Sequence, residues 1–310
     1  MNQPTTDPIS RTPRRITVAD VARMHADGRP IAMLTAYDFQ TASILDESGI
    51  PLILVGDSLG EVVLGYDSTV RVSMGEMLHH VKAVARGTER AMLIADMPFM
   101  SYGLTPEESV RNAGTFLAEG GAQAVKVEGG VRSARTIEAI VRSGIPVMGH
   151  IGWTPQAKHG LGGKVRVQGR TRDQARALIA DAFAVQESGG FAIVLELVPE
   201  QLATAITERL RVPTIGIGAG PGCSGQVLVI NDLLGLGDFT PRHARRYAEL
   251  RETMQAAIGA YLSDVESGAF PGPSETARMD DAVLEEAIGR SPLDQPAGEV
   301  ASAIPLDRDL

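Results

Sequence analysis

Short runs of nearly unbroken apolar residues recur along the chain, and most are followed by a longer stretch with helical spacing. The runs are IAMLTA (31–36), LILVG (52–56), AMLIA (91–95), AVKV (124–127), PVMGHI (146–151), FAIVLEL (191–197), PTIGIGA (213–219) and QVLVI (226–230). A short run that is apolar on both faces predicts a strand buried on both sides, as in a parallel sheet. Helical patterns fall at Gln40–Ser48, Gly75–Arg86, Pro106–Glu119, Ala134–Arg142, Asp173–Glu187 and Pro199–Leu210, with a last one over Pro241–Ser263. Ser73 before Met74–Glu76, and Thr105-Pro106-Glu107, are helix starts. Gly49, Gly87, Gly120, Gly144 and Gly189 are helix stops. Eight strands with intervening helices predict an α/β fold, a (β/α)8 TIM barrel rather than an open doubly wound sheet. Only Gly220–Gly225 separate the last two runs, too few for a crossover helix. Thr17–His25 predicts an extra N-terminal helix at the bottom of the barrel.

The ends of the chain read differently. Residues 1–15, MNQPTTDPISRTPRR, hold three prolines and no apolar stretch, which predicts a flexible N-terminal tail and no secretory signal. Residues 271–310 hold five prolines and nine acids against three arginines, so −6 of the chain's −9 charge sits there. This predicts an acidic C-terminal tail, with a short helix at Asp280–Ile288. The barrel domain is then 16–270, and about 250 residues is the usual size of such a fold. The composition of the 310 residues, 44% hydrophobic and 22% charged, is that of a globular protein. The acidic balance of 29 basic against 38 acidic residues argues against a nucleic-acid or anionic-membrane partner. No apolar run reaches the length of a membrane span. A single cysteine predicts no internal disulfide and fits a cytoplasmic location.

Ionisable residues gather where the runs end. The second run leads into Asp57-Ser58 and the third into Asp96. The fourth contains Lys126 and leads into Glu128, the fifth contains His150 and the sixth Glu196. In a parallel barrel all these ends open on one face, where catalytic groups sit. An acid just after a strand is often only a helix cap or a solvated loop residue, and a single histidine is often a core residue. Five successive strands ending this way instead predict a shared pocket. Lys126 and Glu128 share a strand face, and charged groups facing the helices would be unpaired and costly. Glu196 sits among apolar neighbours, so burial raises its pKa. Acids sharing one cavity with one lysine call for a cation. An all-oxygen donor set indicates Mg²⁺ over Zn²⁺. A 2-oxo acid chelated there would have an acidified adjacent C–H, and Glu196 is the sensible base for that proton. The long loop Gly152–Arg170 is a lid candidate. GIGAG (216–220), Cys223, His79-His80 and Trp153 carry no chemistry by themselves.

GDSLG (56–60), Gly65-Tyr66-Asp67-Ser68-Thr69, DMPFMSY (96–102), VKVEGG (125–130), GHIGWTPQ (149–156), VQGR (167–170), LELVP (195–199) and IGIGAG (215–220) resemble, in order, the ketopantoate hydroxymethyltransferase family. The likeness runs from Thr35 to Pro271. It implies a Mg²⁺-dependent aldol-type transfer in pantothenate synthesis, from 5,10-methylenetetrahydrofolate as co-substrate to 3-methyl-2-oxobutanoate. It also implies a cytoplasmic homodecamer of two pentamers. Position by position, the resemblance makes Asp57, Asp96 and Glu128 the magnesium ligands. It makes Asp57, Ser58, Asp96 and Lys126 the oxo-acid contacts, Glu196 the proton acceptor and His150 a residue lining the substrate pocket. The competing readings are another Mg²⁺ enolate barrel, a lyase or mutase acting on phosphoenolpyruvate or isocitrate, and a catalytically silent barrel. The first would need phosphate or tricarboxylate contacts and often a reactive cysteine, for which no motif exists. The second is opposed by the presence of Glu196 and Lys126.

Overall fold

Capping chemistry places most helices where the pattern predicts them. The structure, a computed structural model, describes residues 14–289. In chain order the elements are α1 (Val18–Ala26), β1 (Ile31–Thr35), α2 (Phe39–Glu47), β2 (Leu52–Val55), α3 (Leu59–Val62), α4 (Met74–Arg86), β3 (Met92–Asp96), α5 (Pro106–Ala118), β4 (Ala124–Glu128) and α6 (Ala134–Arg142). They continue with β5 (Val147–Gly152), α7 (Arg172–Glu187), β6 (Ala192–Glu196), α8 (Glu200–Thr207), β7 (Thr214–Ile217), β8 (Gly225–Leu228), α9 (Ile230–Leu234), α10 (Leu250–Ser267) and α11 (Asp281–Gly289). Thr17 and Asp20 exchange side-chain and backbone hydrogen bonds to open α1, and Ser73 with Glu76 does the same for α4. Thr105 caps α5 with Pro106 in its first turn. Gly144 takes φ 87° after α6, a left-handed turn open to glycine. Gly87 closes α4 for another reason: a Cβ there would lie 2.4 Å from the Phe39 carbonyl oxygen.

The eight strands pair in parallel in sequence order, and β8 closes back on β1. Alternation along the strands divides the side chains into two sets. Met33, Leu52, Leu54, Met92, Ile94, Ala124, Met148, Ala192, Val194, Ile215 and Val227 form one buried cluster inside the barrel. Ile53, Val55, Leu93, Ala95, Val125, Val127, Val147, Ile193 and Leu195 join the larger cluster beneath the helices. Val21 of α1 belongs to the inner cluster, and Ile16, Val18 and Met24 pack against it. The extra helix therefore plugs the barrel bottom, as expected.

The strand seven-to-eight connection has no helix, also as expected. Residues 218–224 are enough to run back along a four-residue strand. Thr214 and Ser224 hold them, each backbone N–H donating to the other's hydroxyl at 3.2 and 3.3 Å. Three details differ from the sequence pattern. The helices α3 and α9 have one turn each, too short to show a period. The last helix starts at Leu250, not Pro241. Residues before it bond elsewhere: Tyr247 N–H donates to Leu233 O at 2.8 Å, tying this segment to α9.

The chain divides into two compact units, Met1–Arg251 with the barrel and Glu252–Leu310. In the second, α11 falls close to the predicted Asp280–Ile288 helix. Met254, Ile258, Tyr261, Leu262 and Val265 share one face of α10 and are all exposed. The expected tails at 1–15 and 271–310 lie largely outside the described residues. Among the described residues no helix is long and apolar enough to cross a membrane.

Candidate active site

Each predicted residue is carried to the same end of the barrel by the strand it terminates or follows. Asp96 pairs in register with Lys126, Glu128 with His150, and Gly152 with Glu196. Asp57 follows β2, and its backbone N–H donates to Asp96 Oδ2 at 3.0 Å. Asp57, Asp96, Lys126, Glu128 and His150 are each 4% exposed or less, so this cluster is held out of water. Lys126 Nζ lies 2.9 Å from Asp96 Oδ1 and 3.1 Å from His150 Nδ1. His150 Nε2 lies 3.1 Å from Glu196 Oε2, bent away from ideal hydrogen-bond geometry. Ser58 is half-buried, its hydroxyl 2.9 Å from that of Tyr37. All seven residues predicted for the site are thus gathered at the barrel mouth.

Burial sets the protonation states. It pushes Asp96 well above the usual carboxylate range and Glu128 up to about 8, against the pull of Lys126. Burial likewise raises Glu196, while His150 beside it pulls the other way. For Lys126 burial works against the charge, but Asp96, Glu128 and Asp57 outweigh it and hold the ammonium above the ordinary lysine range. Burial, then the Lys126 charge, push His150 below its usual value, so the imidazole is neutral at pH 7. An ammonium has only protons to offer, so His150 Nδ1 turns its lone pair to Lys126 and the ring proton sits on Nε2, toward Glu196.

One oxygen of each acid in the trio is anchored by an N–H, and the other is not. Asp96 Oδ2 accepts from Asp57 N, Asp57 Oδ2 from Gln156 Nε2 at 2.9 Å, and Glu128 Oε2 from Gln156 N at 3.2 Å. Asp96 Oδ1 and Glu128 Oε1 are buried without a hydrogen bond, although the first faces Lys126. Unsatisfied hard oxygens on buried acids, three carboxylates to one ammonium, suit a hard cation. The described residues contain no group of three or more His, Cys, Asp or Glu side chains gathered tightly enough to hold a metal ion. Magnesium usually takes one or two carboxylates and completes its shell with water and substrate oxygens, so the donor set fits it as a partial cradle.

Sequence reasoning missed Gln156, Tyr102 and Tyr37. The first two lie in the TPQ and MSY segments that carried the family likeness, but neither is charged, and nothing in a pattern marks a glutamine for burial. Gln156 sits in a short 3₁₀ turn, Pro155–Ala157, at the start of the long loop after β5. Beyond the residues that follow Glu128 and His150 lies a cavity of about 480 Å³, lined by Gly129–Arg132, Ile151, Gly152, Leu161, Gln168, Gln174 and Asp181, among others.

With the geometry in place, comparison with known proteins decides the family. Residues 15–273 match the description of ketopantoate hydroxymethyltransferase. The chain belongs to the ketopantoate hydroxymethyltransferase family. A 3-methyl-2-oxobutanoate hydroxymethyltransferase from Chloroflexus aurantiacus is 59% identical over 276 residues, 89% of this chain and 97% of that protein. One from Dehalococcoides mccartyi is 55% identical over 273 residues, 88% of this chain and 96% of that protein. A ketopantoate hydroxymethyltransferase is a transferase, and this decides against a lyase, a mutase or a silent barrel. Among solved structures, phosphonopyruvate hydrolase superposes with TM-score 0.55 at 13% identity, over 89% of this chain and 96% of that one. A phosphoenolpyruvate phosphomutase from Streptomyces platensis gives 0.55 at 14% identity, over 88% and 95%. At such identity the likeness is one of fold alone.

Proposed function

We propose that this chain transfers a hydroxymethyl group from 5,10-methylenetetrahydrofolate to 3-methyl-2-oxobutanoate, giving 2-dehydropantoate for pantothenate synthesis, with Glu196 as base. The observation that carries the reading is the position of Glu196, facing into the barrel mouth with its carboxylate pushed up by burial, beside the Lys126-paired Asp96 and the unsatisfied Oε1 of Glu128. Asp57, Asp96 and Glu128 would offer the oxygens for Mg²⁺, one or two of them binding it directly and water and substrate completing its shell; the ion would polarise the keto and carboxylate oxygens of the oxo acid and so acidify C3–H. Lys126 offsets the substrate's negative charge. Ser58, steadied by Tyr37, donates a hydrogen bond to the oxo acid. Glu196 takes the C3 proton, and His150 Nε2–H holds the carboxylate toward the cavity. The C3 carbon of the enolate then bonds to the one-carbon unit, water supplies the hydroxyl oxygen, and tetrahydrofolate leaves.

The donor needs room beside the oxo acid. The lining of the 480 Å³ cavity past Gly129 and Gly152 combines apolar Ile151 and Leu161 with polar Gln168, Gln174 and Asp181. Such a lining suits a flat heterocycle with an N–H edge. A cytoplasmic location and self-association into a decamer of two pentamers complete the reading. The exposed apolar face of α10 supports contact between copies.

The test uses 3-methyl-2-oxobutanoate in D₂O without folate, followed by NMR at C3. Exchange is expected with Mg²⁺ and not with a chelator, and Glu196→Gln should slow it about 10²–10⁴-fold, the usual worth of a general base. Exchange undiminished in Glu196→Gln would remove Glu196 from the role.

A further inference from the structure

We infer that Gln156 is a positioning residue that selects which oxygens of Asp57 and Glu128 face the reaction cavity, and that Tyr102 locks its amide in the selecting orientation. What those oxygens then bind rests on the function proposed above.

Gln156 is 5% exposed and satisfied on every side. Its Nε2 donates to Asp57 Oδ2 at 2.9 Å and to the Met97 carbonyl at 3.0 Å, and its backbone N–H donates to Glu128 Oε2 at 3.2 Å. One residue thus grips two acids that arrive on β2 and β4. The amide could in principle be turned by 180°, and Tyr102 prevents it. The Tyr102 hydroxyl accepts from Glu128 N–H at 3.2 Å and stands 2.6 Å from Gln156 Oε1. The phenol has one proton to donate, and the Glu128 N–H already occupies its acceptor side. That proton goes to Gln156 Oε1. Turning the amide over would set its oxygen against Asp57 Oδ2 and Met97 O, two acceptors, and its NH₂ against a proton donor. Each acid is thereby pinned through one oxygen, leaving Asp57 Oδ1 and Glu128 Oε1 outside the grip of Gln156. The pin belongs to the loop after β5, whose far end is fastened by Gln168 N–H to Leu197 O at 2.8 Å.

The experiment compares the full-length parent, Gln156→Met and Tyr102→Phe. Free Mn²⁺ is titrated by electron paramagnetic resonance, and kcat and KM for C3 exchange are measured in the same samples. Circular dichroism monitors the fold. Methionine keeps the length of the side chain and removes both donors and the acceptor of its amide. Gln156→Met should weaken Mn²⁺ binding about 10–100-fold, the usual cost of losing a partner that orients a ligand, and should raise KM for the oxo acid. Tyr102→Phe, which frees the amide to turn, should change both in the same direction by less. It carries the test if Gln156→Met does not fold. Parent-like Mn²⁺ affinity and KM in a folded variant would overturn the inference, even with a lowered melting temperature. A parent that exchanges C3–H yet binds no Mn²⁺ would instead overturn the metal reading. The KM of the two variants would then decide the positioning role by itself.

Discussion

Replacing Lys126 by methionine removes the one buried lysine or arginine among the described residues while nearly keeping its length. The ammonium lies 2.9 Å from Asp96 Oδ1, with side-chain exposures of 5% and 1%, so water cannot take its place cheaply. Removing one partner of such a pair costs about 3–5 kcal/mol, because the remaining charge is buried and uncompensated. The carboxylates can avoid part of that cost by taking up protons. Burial already holds Asp96 well above its unfolded value of 3.8, and Lys126 is the largest force opposing it. Loss of Lys126 therefore raises the folded pKa further. A carboxyl with a raised folded pKa favours the folded state below its unfolded pKa, and that advantage is lost as pH rises through the folded pKa. The deficit of Lys126→Met should therefore grow with pH. Near pH 5 it should approach the cost of a volume-conserving swap, under about 1.5 kcal/mol. Near pH 8 it should approach about 3–5 kcal/mol. Urea denaturation of both proteins in chelator at the two pH values measures it. A deficit that is the same at both, or absent, would refute the idea that Lys126 compensates buried acids.

Two further outcomes follow from the same structure. The rate of C3 exchange should rise with pH through a value above 4.5, since burial raises Glu196 and only its ionised form accepts a proton; a profile already flat at pH 4.5 would exclude it as the base. Asp46, 7% exposed, accepts backbone N–H bonds from Glu89, Arg90 and Ala91, the last at 2.6 Å, and so fastens the end of α2 to the start of β3. Asp46→Ala should cost about 1–3 kcal/mol in urea denaturation by leaving the buried Ala91 N–H unpaired, with little effect on KM.

The barrel was legible because its signal is repeated eight times. Each apolar run became a strand, with ends shifted by a residue or two, since a run buried on both faces has no other use in a chain of this length. The charged members of the site were legible for a related reason. Lys126, Glu128, His150 and Glu196 interrupt runs that are otherwise apolar, and a charge inside such a run needs an explanation. Gln156 and Tyr102 interrupt nothing. They lie in a connecting turn and loop, and their value lies in hydrogen bonds to residues 99 and 26 positions away in the chain. Asp46 was hidden likewise, as one more acid at the end of an amphipathic helix. Non-periodic polar contacts of this kind leave no trace in a single sequence.

Along the inward-facing positions the strands share a rule that ties fold to chemistry. In β3 they read Met92, Ile94, Asp96; in β4 Ala124, Lys126, Glu128; in β5 Met148, His150; in β6 Ala192, Val194, Glu196. The lower positions belong to the inner apolar cluster, which α1 closes from below. The change from apolar to ionisable steps up along the register, Lys126 pairing with Met148 and His150 with Val194, as the strand stagger of a closed barrel requires. The apolar layers exclude water from beneath, and that exclusion pushes Asp96, Glu128 and Glu196 up. The same packing that stabilises the barrel thus makes its upper layer electrostatically costly. A cation or an anionic substrate with its counter-ion relieves that cost only when bound. Enlarging the apolar side chain just beneath it, as in Val194→Ile, would raise Glu196 further. Removing the plug at Val21 would admit water and lower it.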